Sequence, residues 1–179
     1  EKKVPNEKNI PNPTFEYSKL KRITEKKLIE ISDKNKKKKY LGILRLTKNI
    51  SSETSPFDTW IKKINKNKPI TALKDLYFSP ITFEDSSKML INLIKKRKPG
   101  IYHLSGENDI SYSDFALKFI QYLNKDNNLV ISKNSKQLGI NLVYNHHLTS
   151  LSMKYTLNKL NLHPISLQEI FNYLSKFIK

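Results

Sequence analysis

At Thr82 and Asp85, at Ser111 and Asp114, and at Ser166 and Glu169, a hydroxyl residue stands three places before an acidic one, directly ahead of an apolar period. Such a pair satisfies backbone N–H groups that the first turn of a helix leaves free, so each spacing marks a helix start. The Thr82 helix carries Met89, Leu90, Leu93 and Ile94, and the Ser111 helix carries Phe115, Ala116, Phe119, Ile120 and Leu123. The Ser166 helix carries Ile170, Phe171, Leu174 and Phe177. Short apolar runs of strand length lie among them, at residues 40–44, 69–73, 77–81, 101–104 and 129–131. Strands that alternate with helices predict an α/β chain holding at least part of a parallel sheet.

Two more helices are expected. Over residues 15–32, Tyr17, Leu20, Lys21, Thr24, Leu28 and Ile31 recur at three- and four-residue steps and form one stripe. Ser55-Pro56 marks another start, with serine as N-cap and proline at the first helical position, ahead of Phe57, Trp60, Ile61 and Ile64. Residues 1–13, with Pro5, Pro11 and Pro13, read as an extended lead-in, and Pro99-Gly100 breaks a helix. Trp60 and His103 sit within apolar patterns and are expected in the core, His103 with a hydrogen bond. Asp85 is expected to serve the first turn of its helix, and Arg45 either to anchor a loop or to reach a phosphate. There is no internal repeat and no linker.

Composition removes several function classes. The 179 residues include no cysteine, which rules out disulfides and thiolate-bound metal or iron–sulfur centres in this chain. No run approaches the roughly 18 apolar residues of a membrane span. Glu1-Lys2-Lys3-Val4-Pro5 has no apolar leader core, so a cytoplasmic setting is expected. The net charge is +17, yet only Arg22, Arg45 and Arg97 of the 33 basic residues are arginine. Base recognition favours the guanidinium fork over the hydrated lysine ammonium, so no nucleic-acid partner is expected. The run from Lys34 to Lys39 reads as a solvated loop, and the positive field suits a small anion such as a nucleotide diphosphate. His146-His147 lacks both the spacing and a nearby carboxylate for a metal, and none is expected.

The segment Tyr17-Ser18-Lys19-Leu20-Lys21 reads either as an ordinary helix surface pair, a spacing that chance supplies in a lysine-rich chain, or as a candidate for chemistry. A tyrosine and a lysine four apart on a helix project side by side. An ammonium beside a phenol stabilises the phenolate, which suits a general acid/base that moves a hydroxyl proton.

Five segments in order then resemble the extended short-chain dehydrogenase/reductase superfamily, in its sugar-nucleotide branch that includes dTDP-4-dehydrorhamnose reductase and the NAD-dependent epimerase/dehydratases. These are the Tyr-x-x-x-Lys helix with a strand ending in Leu44-Arg45, Asp75 through Thr82 and Asp85, Gly100-Ile101-Tyr102-His103-Leu104-Ser105-Gly106, Ser111 through Ala116, and Thr149-Ser150-Leu151 with Lys154. The resemblance implies the C-terminal part of a Rossmann-like doubly wound parallel sheet plus a small mixed α/β substrate-binding region. Residues 1–50 would end the dinucleotide-binding domain and residues 51–179 would bind a nucleotide-linked sugar. It implies Tyr17 and Lys21 as catalytic pair, with Tyr17, Lys21, Thr47 and Asn49 at an NAD or NADP cofactor. Arg45, Lys48, Ser79 and Pro80 would meet the substrate. Reduction, epimerisation and dehydration share this machinery. A homodimer is compatible with it, as is a non-catalytic homologue that binds sugar nucleotides for regulation.

One departure shapes the expectation. The glycine-rich turn that seats a cofactor pyrophosphate is absent, since Gly42, Gly100, Gly106 and Gly139 share no such spacing. A preceding mononucleotide-binding half of roughly 130–150 residues is therefore expected.

Overall fold

Helix and strand alternate along the chain as the capping pairs require. The computed structural model describes residues 4–37, 40–142 and 147–179; Lys38, Lys39 and His146, like residues 1–3 of the lead-in, lie outside them. The elements are α1 (Glu16–Lys34), β1 (Gly42–Leu46), β2 (Lys48–Ile50), α2 (Phe57–Ile64), β3 (Ile70–Leu73), β4 (Tyr77–Phe78) and β5 (Pro80–Thr82). There follow α3 (Phe83–Lys96), β6 (Gly100–Leu104), β7 (Ile110–Ser111), α4 (Tyr112–Tyr122), β8 (Val130–Lys133), α5 (Lys154–Leu160) and α6 (Leu167–Ser175). Strands pair in four two-stranded ladders. β1 with β6, β2 with β5 and β3 with β8 are parallel, and β4 with β7 is antiparallel. Each parallel pair needs a long crossover, which the intervening helices supply. The expected α/β class with a parallel sheet holds.

The caps form as their spacing demands. Thr82 Oγ1 accepts from the Asp85 N–H at 3.0 Å while Asp85 Oδ2 accepts from the Thr82 N–H at 2.9 Å. Ser111 Oγ accepts from the Asp114 N–H, and Ser166 with Glu169 closes a full box. Asp85 thus serves the first turn of α3, as expected.

Four local expectations need correction. Ser55 caps nothing: α2 begins at Phe57, with Pro56 in the N-cap place after a cis Ser55–Pro56 bond. The apolar run 77–81 is two strands, because Phe78 enters one core and Ile81 another, while Ser79 between them turns its buried hydroxyl to Ser105 and Gly106. On α3, Met89 and Leu93 are buried but Leu90 and Ile94 face out. The largest reversal is α1. Its apolar stripe of Tyr17, Leu20, Leu28 and Ile31 is exposed, while Ser18, Arg22, Glu25, Ile29 and Ser32 turn inward. Helix α5 and the short strands β2 and β7 carry no strong sequence signal.

Two apolar cores result. In the first, Phe57 meets Trp60, Phe78, Tyr112 and Phe115, and Phe115 meets Phe171 at 5.2 Å between ring centroids. Phe78 stacks on Tyr112 at 4.1 Å; burial pushes that phenol up to about 12, so Tyr112 stays neutral packing material. Trp60 is buried as expected and donates Nε1–H to the Thr71 carbonyl. The second core joins Ile81, Met89, Leu93, Tyr102, Leu104, Met153 and Leu160. Where the two meet, Gly106 lets chains approach closely, since a Cβ there would lie 2.5 Å from the Pro80 carbonyl oxygen.

Candidate functional site

The inward residues of α1 explain its orientation. Arg45, on β1, donates from Nε and Nη2 to the two carboxylate oxygens of Glu25 at 3.0 and 2.6 Å, and Arg22 adds a bond at 2.9 Å. A bidentate pair of this kind is short and directional, and it fixes which side of the helix meets the strand. Arg45 therefore anchors a helix. The hydrogen bond from Arg45, opposed by burial and helped by both guanidinium charges, holds the Glu25 carboxyl below its ordinary range.

A depressed carboxyl stabilises the fold above the unfolded-state value and loses that contribution as pH falls through the lower folded-state value. Glu25→Gln is thus expected to be less stable than the parent at neutral pH. The gap should close below about pH 4, which denaturant melts along a pH series would show. A gap that persists undiminished in acid would mean that packing, not charge, holds α1.

The network continues inward. His103, on β6, is 1% exposed, and its Nδ1 lies 3.1 Å from the Ser152 carbonyl while its Nε2 faces Arg45 Nη1 at 3.4 Å. Burial pushes its pKa down, with Arg45 adding to the effect and Glu7 opposing it. A neutral ring that donates from Nδ1 to Ser152 and accepts at Nε2 satisfies both neighbours. His103 is therefore the hydrogen-bonded core histidine expected from its strand. Glu7 of the lead-in stands 3.8 Å from Nδ1, and the Pro5 carbonyl accepts from the Ser152 N–H. The lead-in thus packs beside His103 and the segment at Ser152. Beneath it a cavity of about 470 Å³ is lined by Asn6, Asn9, Asn12, Arg45, His103 and Leu151.

Tyr17 and Lys21 sit one turn apart on α1, with the Lys21 ammonium 5.4 Å from the Tyr17 ring centroid. Glu25 meets Arg45 near the end of β1, so Tyr17, eight residues earlier, projects roughly 12 Å farther along the helix. That carries it beyond the carboxyl end of the parallel β1–β6 pair, the side where open α/β sheets bind ligands. Tyr17 is 70% exposed there.

The remaining candidates cluster nearby in chain but differ in surroundings. Thr47 links β1 to β2, its N–H bonded to the Leu104 carbonyl, and Lys48 is exposed at the start of β2. Asn49 Oδ1 accepts from Ser86 Oγ at 2.9 Å. Lys48 and Asn49 lie opposite Pro80 and Ile81 in the β2–β5 ladder. Ser79 and Pro80 are buried, and the Ser79 hydroxyl is engaged by Ser105 and Gly106.

Sequence reading missed two carboxylate knots. Asp109 accepts from the N–H and hydroxyl of both Thr149 and Ser150, at 2.6–2.8 Å. Asp75 receives the N–H and hydroxyl of Ser135. Their partners lie 40 and 60 residues away, beyond any local pattern.

Among solved structures, the fold is similar to dTDP-4-dehydrorhamnose reductase from Yersinia enterocolitica, with TM-score 0.78 and 22% identity over 97% of this chain and 60% of that one. It is similar to dTDP-4-dehydrorhamnose reductase from Bacillus anthracis in complex with NADP, with TM-score 0.74 and 21% identity over 97% and 58%. It is also similar to dTDP-glucose 4,6-dehydratase from Bacillus anthracis in complex with NAD, with TM-score 0.71 and 14% identity over 95% and 55%. The chain thus spans 55–60% of the length of these structures. No curated protein matches the sequence. Among the described residues, no helix is long and apolar enough to cross a membrane. The Rossmann-like fold is that of the sugar-nucleotide branch of the extended short-chain dehydrogenases/reductases, and, matching its family model over residues 2–146, the chain belongs to the RmlD substrate binding domain family.

Proposed function

We propose that this chain is the C-terminal portion of an NAD(P)-dependent enzyme acting on a nucleotide-linked sugar, reduction being the favoured reaction. Residues 1–50 would close the dinucleotide-binding domain and residues 51–179 would hold the sugar nucleotide. The observation that carries the reading is the Tyr17–Lys21 pair, held one turn apart beyond the carboxyl end of β1. The fit to a cofactor is partial. Lys21 can donate to ribose hydroxyls, with Thr47 and Asn49 following β1 on the same side. No glycine-rich turn in the chain cradles a pyrophosphate. NAD(P), when bound, supplies or accepts the hydride.

The chain's own residues do the rest. The Tyr17 hydroxyl donates a proton to the sugar oxygen as that oxygen gains negative charge, or removes it in reverse. The Lys21 ammonium stabilises the phenolate left behind. Arg45 holds the catalytic helix on the sheet through Glu25. Lys48 and the segment at Ser79 and Pro80 would border the sugar.

The test uses the intact protein from its source, mixed with dTDP-4-dehydrorhamnose and NADPH or NADH, with loss of reduced cofactor monitored. Cofactor consumption matched by reduced sugar product is the expected result. Tight sugar-nucleotide binding without turnover would make the protein a non-catalytic relative and overturn the enzyme reading.

A further inference from the structure

Two attachments of α1 converge on one buried ring. Glu25 and Arg45 hold the middle of the helix to β1, and Arg45 Nη1 then lies 3.4 Å from His103 Nε2. The lead-in, which runs into the start of α1 at Phe15, meets the same imidazole at its other nitrogen, where Glu7 stands 3.8 Å from Nδ1. The Glu7 carboxylate is left incomplete by this arrangement. It is 12% exposed and accepts one long hydrogen bond, from the Thr156 hydroxyl at 3.4 Å. Among the described residues no ammonium or guanidinium stands at ion-pair distance from it. The Nδ1–H of the neutral ring is already committed to the Ser152 carbonyl. A carboxylate withdrawn from water without a charge partner is costly, and one proton on His103 supplies that partner.

We propose that His103 is a positioning residue for Tyr17, acting through Arg45 and Glu25, and that Glu7 poises it to release α1 when the ring takes up a proton. This rests on the reading above that Tyr17 is the acid/base. The charged groups acting on the ring are Glu7 from the lead-in, Arg45 from β1 and, behind Arg45, Glu25 from α1, while the segment at Ser152 adds a carbonyl. The exposed Lys8 and Lys154 rim the groove that Glu7 lines. In the neutral ring, Nε2 accepts from Arg45. In the imidazolium both nitrogens donate. Nδ1–H is then drawn to Glu7, while Nε2–H meets the Arg45 N–H donor against donor and charge against charge. Arg45 gives way and takes the Glu25 carboxylate with it, which shifts α1 on β1. Tyr17 lies roughly 12 Å farther along that helix, and a misplacement of about 1 Å can lower turnover about 100-fold. Burial, helped by Arg45, holds the ring below its ordinary value, so release falls below about pH 6.5. Tyr17, as the general acid of a reduction, keeps its proton there and by itself produces no acid limb.

The test measures kcat and KM of the intact protein for dTDP-4-dehydrorhamnose between about pH 5 and pH 8, with hydrogen exchange of α1 peptides, corrected for intrinsic rates, over the same range. The parent is expected to lose kcat about 10-fold or more in acid, with KM little changed and α1 exchanging faster. Glu7→Gln removes the charge that favours the imidazolium, so both transitions should move about 1 pH unit lower. His103→Gln keeps an acceptor for Arg45 but cannot titrate, so both should vanish. Transitions that stay in place in Glu7→Gln, or that survive in His103→Gln, would overturn the proposal, as would a parent without them. Should His103→Gln fail to fold, the Glu7→Gln shift decides alone, since Glu7 sits in the lead-in outside both cores. An α1 transition that moves as expected without turnover at any pH refutes the enzyme reading alone. Turnover with pH-independent exchange in α1 refutes the positioning role alone.

Discussion

Tyr17→Phe is expected to lower the turnover number of the intact enzyme by about 10²–10⁴-fold, the usual worth of a general acid/base. The substitution deletes one oxygen from a ring that is 70% exposed on the first turn of α1. Exposed changes of this size alter stability by about 0.5 kcal/mol or less, so the melting temperature should stay where it is. Because the hydroxyl would act on charge that develops during the reaction, kcat should fall while KM for the sugar nucleotide changes little. Steady-state kinetics of the two proteins, with a thermal melt of each, decide the matter. Unchanged kcat would remove Tyr17 from the chemistry.

The largest structural effect is expected at Phe115. Its ring is fully buried between Phe57, Phe78, Phe119 and Phe171, drawn from α2, β4, α4 and α6. Phe115→Ala removes the contact common to those elements and leaves a cavity that they close only in part, at a cost of about 3–5 kcal/mol. Against a total stability of about 5–15 kcal/mol, that loss unfolds much of the population on mild heating. Phe83→Ala provides the contrast, since Phe83 is 49% exposed and should cost under about 1 kcal/mol. Urea titrations of the two variants give the comparison. Equal midpoints would mean that the aromatic cluster is not the stabilising core.

Both predictions draw on different depths of information. Tyr17 and Lys21 were legible in the sequence as a pair, because four residues of helix always place two side chains together. Phe115 was legible as a core residue from its period after Ser111. What Tyr17 overhangs was not legible: that follows from Glu25 meeting Arg45, 20 residues away, and so fixing α1 along β1. The stripe of α1 shows the same limit. Its period revealed a helix with one apolar side, and nothing in the period says which side meets the sheet. The ion cluster of Arg22, Glu25 and Arg45 decided that, by turning a polar side inward where its charges pair.

By itself the sequence determined the α/β class and the starts of α3, α4 and α6, since capping pairs and apolar periods act within a turn or two of the residues that carry them. It also marked Trp60 and His103 as core. The tertiary structure alone decided that residues 77–81 break into two strands serving two cores, and that the lead-in sets Glu7 beside His103 of β6 and Pro5 against Ser152. It alone tied Asp109 to Thr149 and Ser150. In each of these a buried polar group must find its partner, and the partner is chosen by which distant segment can reach it without leaving another donor or charge unpaired. That choice depends on the whole packed chain, and no local spacing encodes it.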